Sequence, residues 1–377
     1  MERQGRLTYG GLHMEWTRMW CLAGALAALA VAGTAHAGDG AVFTLSNESA
    51  GNEVLAFRRG TGGELEFAAS VPTGGRGAGA GLGSQGALVL SEDGDLLFAV
   101  DAGSNEISSF AVGDTSMKLV AHVPSGGTRP ISLTVRDDLL YVLNAGGEGN
   151  IAGFTVGENG ELAPLPDSTR PLSGKATDPA QIEFTPDGEH LVVTEKATDQ
   201  IDVYRVAKDG LAEGPVVHDS SGRTPFGFAF RRDGRLVVSE AFGGAKGASA
   251  VSSYQLGDDG ALQPISASVP DHQSAACWLV IASSGRVAFT SNTGSDSISS
   301  YWIDHDGRLV LLDSIAGDTG VGSAPTDMAL TERSRFLYAL DSRTASISAF
   351  RVRRGGALEP VTGTSGLPPT AVGLAAR

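Results

Sequence analysis

Short apolar runs broken by polar clusters set the rhythm of this chain. The clearest passage is residues 224–242, TPFGFAFRRDGRLVVSEAF. Phe226, Phe228 and Phe230 alternate with smaller residues, Arg232-Asp233-Gly234 interrupts them, and Leu236-Val237-Val238 leads to Ser239-Glu240. Alternation at period two, then Asp-Gly, then β-branched residues predicts a β-hairpin, because Asp-Gly suits the positive-φ positions of a tight turn. Seven stretches read strand, polar loop, strand: residues 41–59, 96–112, 139–156, 191–206, 236–256, 287–303 and 337–352. Each second strand carries an aromatic near its end, namely Phe57, Phe110, Phe154, Tyr204, Tyr254, Tyr301 and Phe350.

A Gly turn and a short third strand come next in every copy but the second, which has no clear Gly turn. A longer connection then reaches a fourth, apolar strand: GALVL, PISLTV, AQIEFTP, FGFAF, WLVIAS, TDMALT and TAVGLAA. Four strands per unit at a period of about 48 residues predict an all-β, seven-bladed β-propeller of four-stranded blades. No amphipathic helix is legible. The chain begins with three strands of a blade (residues 41–71) and ends with a lone one (residues 370–376). The C-terminal strand is therefore expected to pair with the N-terminal strands and close the ring, leaving no open sheet edge between first and last blades.

Composition adds the compartment. Residues 19–33, MWCLAGALAALAVAG, follow Arg18 and precede Ala35-His36-Ala37. A positive flank, an apolar core too short to span a membrane, and a small-x-small site predict a signal peptide over residues 1–37. Initiation at Met14 would serve equally. The mature part, residues 38–377, is then one exported propeller domain, periplasmic or extracellular, with no membrane insertion once the leader is removed. Of two cysteines, Cys21 leaves with the leader, so Cys277 has no disulfide partner. A net charge of −15 argues against a nucleic-acid partner, which needs a basic footprint.

Several segments carry a specific likeness: TGGRGAGAGLGSQGALVLSEDG, PSGGTRPISLTV, YVLNAGG, DPAQIEFTPDG, TPFGFAF, VSEAFGG, AACW and NTGSDSISSY. In these the mature chain resembles the lactonase-type seven-bladed β-propeller family, which includes 6-phosphogluconolactonase and carboxymuconate-cyclising enzymes. The resemblance implies hydrolysis of a cyclic ester, of sugar-lactone or muconolactone type, at the mouth of the propeller channel. Two alternatives stand beside it: a non-catalytic exported propeller that serves as a binding platform, and a cycloisomerase acting on unsaturated carboxylates. A small-molecule lactone or unsaturated carboxylate is the expected partner, and a monomer the expected state.

In such a ring the fourth strand of each unit lines the channel. Loops leading into it and loops leaving the next strand open on one face. That face collects Glu195 and Glu240, equivalent in adjacent blades, where one carboxylate can act as general base beside the other. Arg129 or Arg223 suits an oxyanion or a substrate carboxylate. Gln85, Asp178, Gln181, Arg223, Phe226, Trp278, Asn292 and Asp327 are the candidate substrate-binding residues. The competing reading is that these charges pair with each other and with loop backbone. Cys277 reads as buried packing, and the Gly-rich residues 74–83 as a flexible connection, since a strand and not a helix follows them. The mature histidines are scattered singly, so no metal site and no cofactor is assigned. Ca²⁺ held by Glu195, Asp178, Asn144 or Asn292 stays open, without a contiguous calcium-loop motif.

Overall fold

Each repeat folds into one antiparallel sheet whose strands run in chain order from the axis outward. The computed structural model describes residues 40–113 and 116–377. The expected leader therefore lies outside the described residues. The hairpin that sets the pattern forms as read: Pro225–Phe230 pairs with Arg235–Glu240, with Phe228 opposite Val238. Gly234 sits at φ 83°, and its N–H donates to the Arg231 carbonyl at 2.9 Å. That left-handed conformation is one that glycine adopts without steric cost.

Blade 1 is closed by both ends of the chain, in the order Val372–Ala376, Gly40–Leu45, Glu53–Arg59, Leu65–Pro72. Blade 2 runs Leu88–Leu90, Leu96–Asp101, Glu106–Val112, Met117–Pro124. Blade 4 runs Pro179–Phe184, His190–Glu195, Gln200–Val206, Ala212–Asp219. Blade 5 continues the hairpin with Ala250–Leu256 and Leu262–Pro270. Blade 6 runs Ala276–Ile281, Val287–Asn292, Ser297–Ile303, Leu309–Asp318. Blade 7 runs Pro325–Leu330, Phe336–Asp341, Ser346–Val352, Leu358–Ser365.

Blade 3 departs from the four-stranded expectation. Inside it lie Pro130–Arg136, Leu139–Asn144 and Asn150–Val156, but its outer position is split between Leu162–Pro164 and Arg170–Pro171. Pro164 and Pro166 cannot donate to a ladder, so pairing breaks there. Ser168 fills the gap, its Oγ accepting the Gly153 N–H at 3.0 Å. The one helical element among the described residues is a three-residue 3-10 turn, Phe242–Gly244.

The core lies between blades. All seven repeat aromatics, Phe57, Phe110, Phe154, Tyr204, Tyr254, Tyr301 and Phe350, are buried. The tyrosines keep a polar partner while buried: Tyr204 Oη donates to the Pro171 carbonyl at 2.8 Å and Tyr301 Oη to that of Val269 at 3.0 Å. Outer strands such as Leu65–Pro72 are exposed along most of their length. Ring closure is antiparallel, with Phe43 opposite Ala375 and Thr44 opposite Leu374. Thr44 Oγ1 donates to the Gly373 carbonyl at 2.7 Å, and Leu374 packs in the core with Val42 and Tyr338. Deleting residues 367–377 is expected to abolish cooperative thermal unfolding; calorimetry showing an unchanged single transition would contradict this closure.

Candidate functional site

Inner strands pose a chemical problem. Each pairs on one side within its blade and turns its other edge toward the axis, where backbone N–H and C=O groups need partners. Two glutamines supply them. Gln181 accepts the Phe228 N–H at 2.8 Å and donates to the Phe228 carbonyl at 2.9 Å. Gln85 does the same for Leu279, accepting at 2.9 Å and donating at 2.8 Å. A primary amide carries the same donor and acceptor as a peptide group, so each side chain acts as one extra ladder rung. Gly227 makes room for the second: a Cβ there would lie 2.2 Å from Gln85 Oε1.

Gln85 belongs to blade 2 yet binds blade 6, so its segment crosses the channel axis. Around it, the Gln85 N–H donates to the Ala180 carbonyl of blade 4 at 3.0 Å. Trp278 Nε1 donates to the Ser84 carbonyl at 2.9 Å, and Ser84 Oγ to that of Ile131 in blade 3 at 2.8 Å. Lys196 Nζ donates to the Gly83 carbonyl at 2.5 Å, pairs with Asp178 at 3.5 Å, and sits 4.9 Å from the Phe226 ring centre. Residues 83–86 thus plug the upper face, the face where loops lead into the inner strands. The preceding Gly-rich residues are pinned as well: the Gly77 and Gly79 N–H groups donate to the Glu48 and Asn47 carbonyls at 2.9 Å each. The flexible connection expected from the sequence is instead an anchored one.

Below the plug the channel opens toward the lower face, where the inner strands end. A chamber of about 260 Å³ is walled by Gln85, Gln181, Glu183 and Asp327. It shares Leu90, Thr134, Val135 and Glu183 with a wider cavity of about 630 Å³, whose rim carries Glu92, Asp93, Arg136 and Arg232. Glu183 lies two residues after Gln181, so strand alternation turns both toward the axis. Gln181 Nε2 donates to Glu183 Oε2 at 2.8 Å. Protein surrounds Glu183 although channel water still reaches it, and that burial pushes its carboxyl up to about 8, against the Gln181 bond, which lowers it. Burial likewise lifts Asp327 to about 7, opposed by backbone N–H groups of Met328, Leu374 and Gly86. Glu183 was not singled out from the sequence. The available signal was its place at i+2 from a residue already assigned to the channel.

The other sequence candidates divide between two settings. Glu195 and Glu240 are fully buried and line neither cavity. Glu240 accepts the Gly222 N–H at 2.8 Å, the Ser268 hydroxyl at 2.6 Å and the Ser252 hydroxyl, tying together three strands and the incoming connection of blade 5. Burial raises its carboxyl and these donors oppose the rise. Glu195 accepts the Ser173 N–H at 3.0 Å and the Thr198 hydroxyl at 2.6 Å. Its charge, after burial itself, raises the neighbouring Asp202. Asn292, also buried, instead donates from Nδ2 to Ser299 Oγ at 2.8 Å. Arg129, Arg223 and Asp178 sit on the exposed upper face; the Arg223 Nε lies 3.8 Å from Asp199 and its side chain is 75% exposed. Phe226 and Trp278 pack against each other beside the plug, with ring centres 4.8 Å apart and planes tilted by 50°. Burial pushes the Cys277 thiol up to about 12, leaving no thiolate for nucleophilic attack near neutral pH.

The structure brings Gln85, Gln181 and Asp327 together in the channel and leaves Glu195, Glu240 and Arg129 outside it. Among the described residues no group of three or more His, Cys, Asp or Glu is placed to hold a metal ion. None of their helices is long and apolar enough to cross a membrane.

The raised carboxyls predict a pH dependence. Their folded values exceed the ordinary 4.5 of Glu183 and 3.8 of Asp327, so the fold binds more protons than the unfolded chain between those limits. Stability is expected to fall as pH rises from about 4 to about 8 and to level off above. Glu183→Gln removes its share of the upper part of that slope and leaves the share of Asp202, measured by urea midpoints across the range. In the same assay Glu240→Ala is expected to cost about 3 kcal/mol at acid pH, because three donors lose their acceptor, and less as pH rises, because its buried carboxyl is itself raised.

Comparison with known proteins places this geometry in a family. A family model described as "Lactonase, 7-bladed beta-propeller" matches residues 34–171 and 87–372. An uncharacterized protein of Staphylococcus epidermidis is 28% identical over 172 residues, 44% of this chain and 48% of that protein. The chain therefore spans about half the length of that curated relative. Protein YwcC of Lactococcus lactis is 24% identical over 286 residues, 72% of this chain and 82% of that protein. Among solved structures, a Lactobacillus plantarum protein superposes with a TM-score of 0.71 at 19% identity, covering 90% of this chain and 99% of its own. A Bacteroides uniformis protein provisionally designated a 6-phosphogluconolactonase gives 0.70 at 20% identity, covering 89% and 99%. The periplasmic gluconolactonase PpgL of Pseudomonas aeruginosa gives 0.67 at 18%, covering 88% and 98%. These likenesses carry the fold, while the family model spans nearly the whole described chain: the protein belongs to the seven-bladed β-propeller lactonase family.

Proposed function

We propose that the chain hydrolyses a lactone in the lower cavity of its channel, with Glu183 handling the proton. The observation that carries the reading is the position of Glu183: it lines both parts of the cavity, and its carboxyl titrates near neutral pH. A group with a pKa near the working pH can accept and return a proton within one turnover. Water attacks the lactone carbonyl carbon as Glu183 takes its proton. The tetrahedral intermediate then expels the ring oxygen, which receives that proton, and the product is an open hydroxy acid. The Thr134 hydroxyl, whose oxygen accepts the Phe184 N–H at 3.1 Å, lines the same cavity and offers its own proton to the developing oxyanion. Arg136 at the rim suits the product carboxylate.

A volume of about 630 Å³ lies in the range of small-molecule sites and admits a sugar lactone or a muconolactone. Residues 19–37 support export, and the similarity to a periplasmic gluconolactonase agrees with it. The test is acid release from a panel of sugar lactones and muconolactones by residues 38–377. Activity is expected to rise with pH through about 8, and Glu183→Gln to lower kcat at least 100-fold while the protein still unfolds in one cooperative transition. Full activity in Glu183→Gln would move the chemistry elsewhere. A folded protein silent across the panel would favour the binding-platform alternative.

A further inference from the structure

The glutamine bonds do more than close a sheet edge. We propose that Gln181 is a positioning residue for the channel carboxylate: by bonding Phe228 through both its oxygen and its nitrogen, it presents an N–H to Glu183 in a fixed direction. The inference rests on the lactonase reading for its catalytic meaning, though not for its test.

The geometry is specific. Gln181 Oε1 is occupied by the Phe228 N–H at 2.8 Å, so the amide cannot flip without facing two donors together. With that orientation set, Nε2 has two hydrogens. One goes to the Phe228 carbonyl at 2.9 Å and the other to Glu183 Oε2 at 2.8 Å. Glu183 Oε2 is thus held from blade 5 through blade 4, and Oε1 is left for the cavity. A carboxylate accepts this bond more strongly than a carboxylic acid does, so Gln181 favours the charged, proton-accepting form. Other charged groups lining the same space are Glu92 and Asp93 from blade 2, Arg136 and Asp137 from blade 3, Arg232 from blade 5 and Asp327 from blade 7. None of them is among the influences that set Glu183; burial raises it and the Gln181 bond lowers it.

Gln85 is the built-in control. It makes the same pair of bonds, to Leu279, and touches no carboxylate through them. The experiment follows the Glu183 carboxyl by its infrared C=O band, identified as the band lost in Glu183→Gln, across pH in the free protein. Gln181→Met is expected to lower the carboxylate fraction below the midpoint about tenfold, the effect of losing one hydrogen bond to a charged group. Gln181→Lys, which keeps a donor and adds charge, is expected to move the midpoint the opposite way. Gln85→Met, although destabilising to a similar degree, leaves the Glu183 titration in place. The proposal is overturned if neither Gln181 variant moves the band, or if Gln85→Met moves it equally. In a lactone assay the alkaline rise of kcat follows the same shifts while KM holds. A moved infrared midpoint without any lactone turnover would leave the positioning role standing and remove the lactonase reading alone.

Discussion

Seven sheets converge on one axis, and every inner strand brings an edge of unpaired peptide groups to it. That constraint organises the centre of this protein. Leaving buried N–H and C=O groups unmet costs about 1–3 kcal/mol each, so the channel must hold either water or polar side chains that complete the ladders. In blades 5 and 6 the answer is a glutamine from another blade, Gln181 to Phe228 and Gln85 to Leu279. The second bridge draws residues 83–86 across the axis and closes the upper face. The first narrows the passage around Glu183. A carboxyl in such surroundings resists ionisation, and both Glu183 and Asp327 are lifted toward neutral pH in the channel.

The same polar bookkeeping separates holding groups from working ones. Buried carboxylates recur at the outer ends of the second strands, as Asp101, Glu195, Glu240 and Asp341. Asp101 takes the Ser108 hydroxyl at 2.6 Å and Asp341 that of Ser348 at 2.6 Å, much as Glu240 takes Ser252. Each fastens its hairpin to the next strand and, in blades 2, 4 and 5, to the connection arriving from the blade before. Glu183 differs in lying on an inner strand, with a single side-chain donor and a face open to the cavity.

The architecture was legible because it is local and repeated. Asp-Gly turns, alternating apolar runs and the seven recurring aromatics each report on neighbours within one unit, and the lone C-terminal strand revealed the closure by phase alone. Blade 3 escaped because nothing short of the structure shows Ser168 standing in for a ladder rung. The site was legible only in part. Gln85, Gln181 and Asp327 could be assigned to the channel from strand order, but what they bond depends on pairs as distant in sequence as Gln85 and Leu279. Glu195 and Glu240 were found as equivalents, yet their burial depends on hydroxyls from other strands, which carry no spacing signal. The plug reads from sequence as a run of glycines, and only its long-range bonds show that the accessible end of the channel is the lower one.

The central claim is that chemistry happens in the channel below the plug, against Glu183. The most direct measurement is a crystal structure with a lactam analogue of a sugar lactone, which keeps the ring and resists hydrolysis. The lactam carbonyl is expected in the lower cavity, within hydrogen-bond reach of Thr134 and with its ring facing Glu183 Oε1. A lactam bound instead on the upper face, over residues 83–86 among Arg129, Asp178 and Arg223, would contradict it.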